Sequence, residues 1–330
     1  MRFFIALLIF CRSAVAADFD SILVGSSPFS LFEALYRSYL GERVLILEEA
    51  DQCGGAWKSV DVCGVQHADL GCHQIGQDPQ LKTFLEEYAG CQIVSMDHPL
   101  NRFEPSSSPT GFYFSQGCFE LVDHLLKLIE KTDIVVLTGR KVESASIDPQ
   151  KNQAVVRTNT GSFTANKLVA TPMSGFSLQT AGVPKPANLS KSKYFHLYLL
   201  IEDASPPRFS YQNGGIAGIS RIMNLTHFVG LTHTGRQLLV FQTHNENQLS
   251  NGLQFLEGLK NQNLVDRSAY ILKEEPLIYE TSHFNSAEIQ QMNAGKWVEV
   301  LGTGHFQNLI SYISKWKQVF KPYSEVFGSH

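Results

Sequence analysis

The chain has 330 residues, 43% of them hydrophobic and 18% charged, with a formal net charge of -4. This is enough apolar sequence for one large domain or two interleaved ones, and the lack of a long basic run excludes a dedicated nucleic-acid surface. The expected partner is a small-molecule substrate, and the sequence leaves the oligomeric state open.

Arg2 precedes an apolar run from Phe3 to Cys11, and Ala14-Val15-Ala16 follows with the small-x-small pattern that suits a signal peptidase. Residues 1–17 therefore read as a cleaved signal and the protein as exported (secreted, periplasmic or lumenal). A strand or an extended start is the plain alternative and would leave the protein cytoplasmic. The run is too short for a stable membrane span, which takes about 20 apolar residues. The sequons Asn188-Leu189-Ser190 and Asn224-Leu225-Thr226 are compatible with export. Without Cys11, the cysteines Cys53, Cys63, Cys72, Cys91 and Cys118 are odd in number and form no disulfide framework. Isolated bridges and buried free thiols both remain open.

Ser21-Ile22-Leu23-Val24 has the apolar, β-branched character of a buried parallel strand and ends at Gly25. Phe29, Phe32, Leu35, Tyr36 and Tyr39 then recur at helical spacing, and Val44-Leu45-Ile46-Leu47 is a second buried strand, completing a βαβ unit. Helices are expected over 80–88 and 119–131, and strands over 134–137, 144–148, 154–158 and 167–170. The middle of the chain changes character. Strands over 194–201, 218–223 and 238–242, separated by turn signals, indicate an antiparallel sheet. A helix over 253–260, a strand over 277–281 and an amphipathic helix over 309–320 complete the expectation.

The turn after the first strand reads Gly25-Ser26-Ser27-Pro28-Phe29-Ser30, in the place of a dinucleotide-binding G-x-G-x-x-G. Only the first glycine is present. Ser27 and Ser30 are small enough to keep part of the space, and the turn still leaves a strand and opens a helix whose amides favour phosphate. Gly25, Ser26, Ser27, Phe29 and Ser30 are thus cofactor candidates, although the helical spacing of Phe29 also reads as core. Glu48 ends the second strand, where a carboxylate can accept hydrogen bonds from ribose hydroxyls, and Gly54-Gly55 follows.

The stretch Leu47-Glu48-Glu49-Ala50-Asp51-Gln52-Cys53-Gly54-Gly55 resembles the acidic-strand and double-glycine signature of the flavin-containing amine oxidase superfamily, which includes renalase and protoporphyrinogen oxidase and, more distantly, UDP-galactopyranose mutase. Further matches follow in order: the D-x-G element in Ala68-Asp69-Leu70-Gly71, the glycine turn at Gly117, the strand at Val142, Leu168-Val169-Ala170-Thr171-Pro172, and a loose C-terminal match at Gly302-Thr303-Gly304-His305-Phe306-Gln307-Asn308. The resemblance implies FAD as cofactor. It implies Glu48, Glu49, Gly54, Gly55, Ala56, Trp57, Gly71, His73, Val142, Thr171, Gly302, Gly304, His305 and Asn308 as further contacts. His305 would touch the flavin, carry a proton or simply cap the final helix.

The implied fold is α/β: an FAD-binding Rossmann-like domain of the glutathione-reductase type over 18–95, 112–175 and 290–330, interleaved with a mainly antiparallel substrate domain over 96–111 and 176–289. The spacing of Cys63, His67, Asp69, Cys72 and His73 matches no usual zinc pattern, so no metal is expected. No cysteine follows Cys118, which excludes cysteinyl attachment of flavin near the C-terminus. The implied activity is oxidation of a small organic substrate by hydride transfer to flavin, with no catalytic residue assigned. A non-catalytic binding protein on the same fold and a flavin-dependent isomerase of the mutase type are the alternatives.

Overall fold

The computed structural model describes residues 17–76, 78–96, 111–148, 151, 153–171, 174–180, 183–185, 190–284, 289, 298–301 and 309–328. Residues 1–16 of the expected signal and the candidates Gly302, Gly304, His305 and Asn308 lie outside the described residues.

The βαβ unit is present as expected. β1 (Phe19–Val24) and β2 (Val44–Leu47) pair in parallel, joined by α1 (Pro28–Tyr39). The last four residues of β1 and all of β2 are buried, because a central parallel strand has both faces covered. Their sheet runs, by residue range, 183–185, 177–180, 142–148, 153–158, 161–170, β1, β2 and 135–137, and 298–300 adds in parallel to the strand Gly161–Ala170. β1 lies between β2 and Gly161–Ala170, both parallel to it, so three strand ends converge beside the Gly25 turn. Ligands of open α/β sheets bind at such carboxyl ends.

The face of α1 that carries Phe32 and Leu35 packs inward. Phe32 stacks on Trp316 (ring centroids 5.2 Å apart), and Phe84 of α2 (Pro79–Tyr88) lies 5.2 Å from Phe32. The same helix buries a charge. Glu33 is fully enclosed and meets Arg37 at 3.0 Å, Lys315 at 3.1 Å and the Trp316 indole N–H at 3.2 Å, while Arg37 also reaches Glu299 at 2.7 Å.

Two short antiparallel strand pairs were not expected from the sequence. β3 (Ser59–Val62) pairs with β4 (Val65–Asp69), and Ile93–Ser95 pairs with Phe112–Phe114. The hairpin turn at Cys63-Gly64 holds only one residue of the usual turn vocabulary, which hid it.

The antiparallel expectation holds for a second sheet, ordered 211–213, 221–224, 236–243, 190–202 and 270–283. The strands Ser190–Glu202 and Tyr270–His283 are longer than the apolar runs that announced them, because their ends carry exposed polar residues. One face of this sheet, with Leu197, Leu199, Ile201, Phe241 and Ile222, is covered by the helix Gly252–Asn261 through Phe255 and Leu256. The other face, with Tyr198, Leu200, Val240 and Met223, joins the core of α1, α2 and α3 (Cys118–Ile129).

The five described cysteines are free and buried, which resolves the thiol question left open by their spacing. Among the described residues no helix is long and apolar enough to cross a membrane.

Candidate functional site

A cleft of about 870 Å³ starts at the β1 turn and runs beneath the second sheet. Its lining brings together Gly25, Ser26, Ser27, Phe29, Glu48, Glu49, Gly55, Ala56, Trp57, Val142 and Thr171, eleven of the candidates named from sequence. Ser30, Gly54, Gly71 and His73 stand behind the wall.

Gly25 is at φ +85°, a conformation that L side chains rarely adopt, and a Cβ there would lie 2.9 Å from the Ser174 hydroxyl. Ser174 in turn donates to the Val24 carbonyl at 2.7 Å and contacts the Thr171 hydroxyl at 2.8 Å, tying the ends of two adjacent parallel strands together. The turn is thereby fixed from both sides.

The serines do more than occupy the missing glycines' space. Ser27 is the N-cap of α1: its Oγ accepts from the Ser30 amide at 3.4 Å and lies 3.3 Å from the Ser30 hydroxyl. Pro28 occupies the first helical position and has no N–H. Of the four amides a helix N-terminus normally offers, only those of Ser27 and Phe29 have no acceptor within the chain among the described residues. Phe29 serves both readings, lining the cleft while packing edge-on against Tyr312 at 4.8 Å.

Glu48 is more heavily used than its position in sequence suggests. Its Oε2 accepts from the Ser26 amide at 2.9 Å and the Ser26 hydroxyl at 2.6 Å, and its Oε1 accepts from the Ala50 amide at 2.8 Å. A carboxylate has about four acceptor sites. Three are used here, and the residue lines the cleft. Beside it, Glu49 is paired with Lys141 at 2.6 Å.

At the far end, Trp57 stacks on His73 with ring centroids 4.6 Å apart. The His73 ring nitrogen Nε2 contacts the Leu70 carbonyl at 2.9 Å, and burial pushes its pKa down to about 4. The D-x-G segment is an anchor rather than part of the wall. Asp69 is buried, caps α3 through the Cys118 amide at 2.8 Å, and also accepts from the Tyr113 hydroxyl. Burial pushes its pKa up to about 7. Tyr198 of the second sheet donates to the Asp69 carbonyl at 2.6 Å and accepts from the Gly71 amide at 2.9 Å. Gly71, at φ +97°, leaves room for His196, whose Nε2 would lie 2.5 Å from a Cβ. His196 is itself buried, its Nδ1 has no partner among the described residues, and desolvation lowers its pKa to about 4.

Sequence reasoning missed the part of the lining that comes from the second sheet and its approach. Lys191, Tyr279, Glu280 and Thr281 reach the cleft from two paired strands, and Tyr194 lies opposite Tyr279 in the register. Burial raises the Tyr279 phenol to about 12. No local motif marks these residues, because their placement depends on how the two sheets meet. Lys58 and Arg140 also line the cleft; Lys58 directly follows Trp57 and Arg140 stands two residues before Val142, so proximity in sequence was the one available signal.

No family model matches the chain. An all-trans-retinol 13,14-reductase from Danio rerio is 30% identical over 100 residues, which spans 30% of this chain and 16% of that protein. Among solved structures, a protein assigned as a protoporphyrinogen oxidase from an Exiguobacterium species aligns with TM-score 0.61 at 9% identity, covering 91% of this chain and 98% of that one. Reduced UDP-galactopyranose mutase aligns with TM-score 0.61 at 11% identity, covering 95% and 94%. NikD, an amino acid oxidase of nikkomycin biosynthesis, aligns with TM-score 0.52 at 14% identity, covering 91% and 93%. At such identities the likeness carries the fold. The chain therefore shares the fold of these proteins, a Rossmann-like α/β part with a second, mainly antiparallel sheet beside it.

Proposed function

We propose that this chain is an FAD-dependent oxidoreductase of amine-oxidase type acting on a small organic substrate. The observation that carries the reading is the continuity of the cleft from Glu48, past the α1 N-terminus, to Trp57 beneath the second sheet. Its volume lies within the range of sites for cofactor-sized ligands.

The residues fit FAD, with a reduced set of donors. Glu48 keeps one acceptor site for a ribose hydroxyl. The Ser27 and Phe29 amides would hold the pyrophosphate, and Lys58 and Lys191 add positive charge to the same lining. Val142 and Arg140 close the end where an adenine would lie, and Trp57, braced by His73, closes the other. Bound flavin would supply the redox chemistry by accepting a hydride from the substrate. The chain's own task is to orient the donor and exclude water, and the second sheet does this by covering the cleft with Lys191, Tyr279 and Thr281.

The purified protein is expected to show flavin absorbance near about 450 nm, or to gain it on addition of FAD. A folded, colourless preparation that takes up no FAD overturns the reading. Ser27 and Pro28 favour a second one, a non-catalytic binding protein on the same fold, because together they remove half the amides that would hold a phosphate. Flavin uptake without reduction by any amine, amino acid or alcohol donor in a stopped-flow screen would support that alternative.

A further inference from the structure

Outside the cleft lining, three side chains of metal-binding type converge. Cys91, in the loop after α2, meets Glu120 and His124 of α3, and their ligand atoms all lie within 4.8 Å of one another. Glu120 and His124 are four residues apart and so share a helix face. A tetrahedral zinc site holds its ligand atoms roughly 3.5 Å apart, so closing this set needs only side-chain adjustment.

The surroundings hold each group in place. Glu120 accepts from the Gln92 amide, from the Gln116 amide at 3.1 Å and from the Ser115 hydroxyl at 3.2 Å. His124 is fixed by its Nδ1 contact with the Ala89 carbonyl at 3.0 Å and by stacking on Tyr323, 5.1 Å between ring centroids. Tyr323 packs so closely over the loop that a Cβ at Gly90 would overlap its ring. Cys91 is buried and bonded to no other cysteine.

The charge balance is the second observation. Glu120 is only 5% exposed, yet no Lys, Arg or His forms a salt bridge with it among the described residues. A buried carboxylate normally has a cationic partner. Neighbouring amides and the N-terminal dipole of α3, in whose first turn Glu120 lies, offset part of its charge, and no cationic side chain among the described residues supplies the rest. A divalent cation coordinated also by thiolate and imidazole would compensate it, and sulfur, nitrogen and oxygen donors together suit zinc.

We propose that Cys91, Glu120 and His124 form a zinc site that ties the α2 loop to α3, with water as the fourth ligand. Metal binding would displace the Cys91 thiol proton to solvent, leaving a thiolate ligand with no change in oxidation state.

The test is cobalt titration of the full-length protein after removal of metals by chelator dialysis. The expected result is uptake of one equivalent, with a sulfur-to-cobalt charge-transfer band that zinc bleaches and with a rise in melting temperature. Cys91→Ser should lose the band, and His124→Phe, at a partly exposed position, should weaken binding about tenfold or more. Far-ultraviolet circular dichroism checks that each variant is folded. If Cys91→Ser does not fold, His124→Phe decides alone. No stoichiometric uptake by the native protein, or a band of unchanged affinity in either folded variant, overturns the proposal.

Discussion

The Ser26 hydroxyl donates to Glu48 Oε2 at 2.6 Å while the Ser26 amide donates to the same oxygen at 2.9 Å. The serine hydroxyl also accepts from the Gly54 amide at 3.1 Å, so the turn, the second strand and the double glycine form one lock. Glu48→Gln replaces one acceptor oxygen with an N–H₂ and turns it against a buried amide. A loss of about 1–3 kcal/mol is expected in urea unfolding. Weaker FAD uptake should accompany it, read by flavin fluorescence titration.

Ser27→Gly and Pro28→Ala should act in the opposite sense on cofactor affinity. The first frees the Ser30 amide at a helix-stability cost of a few tenths of a kcal/mol, and the second supplies a missing N–H. A hydrogen bond to a charged group contributes about 1.5–3 kcal/mol, so the double variant should bind FAD at least about tenfold more tightly. Unchanged affinity in isothermal titration would mean that the phosphates do not sit at this helix end.

Asp69 gives a pH signature. Its folded pKa of about 7 lies above the unfolded value, so its contribution is complete below about pH 4 and is lost as pH rises through 7. His73 and His196, both held down to about 4, act oppositely: their contribution is present above about pH 6.5 and is lost as pH falls toward 4. The two effects offset each other in the native chain. In Asp69→Asn the histidine effect stands alone, so relative to wild type the variant should gain roughly 4 kcal/mol between pH 4 and pH 8. Urea unfolding across that range measures it, and a flat difference would refute the assignment.

Gly71→Ala should cost roughly 2–5 kcal/mol, from positive-φ strain together with overlap on the His196 ring. His196→Ala removes the overlap but not the strain. The double variant should therefore be more stable than the sum of the single changes by about 1–2 kcal/mol, as read from a double-mutant cycle.

The β1–α1–β2 unit was legible in the sequence because its periodicity is local and changes abruptly at Gly25 and Gly41. Gly25, Ser26, Ser27 and Glu48 were legible from the same local pattern, whereas Glu49, Ala56, Trp57, Val142 and Thr171 were named only through the family resemblance. Asp69 was not. Its partner Cys118 lies far along the chain, and a carboxylate that caps a distant helix reads locally like one that faces a cofactor. Ser27 was seen as a space-filling substitute for glycine, and only the geometry of α1 reveals it as a cap. The Cys91–Glu120–His124 cluster escaped because its spacing combines a helix repeat with a loop outside it.

Tyr198 joins two bodies through a single oxygen, giving its proton to the Asp69 carbonyl and receiving one from the Gly71 amide. The second sheet cannot slide across the D-x-G segment without uncoupling both bonds in a buried setting. One phenol oxygen thus sets the register between the second sheet and the segment that leads to His73 and the Trp57 end of the cleft.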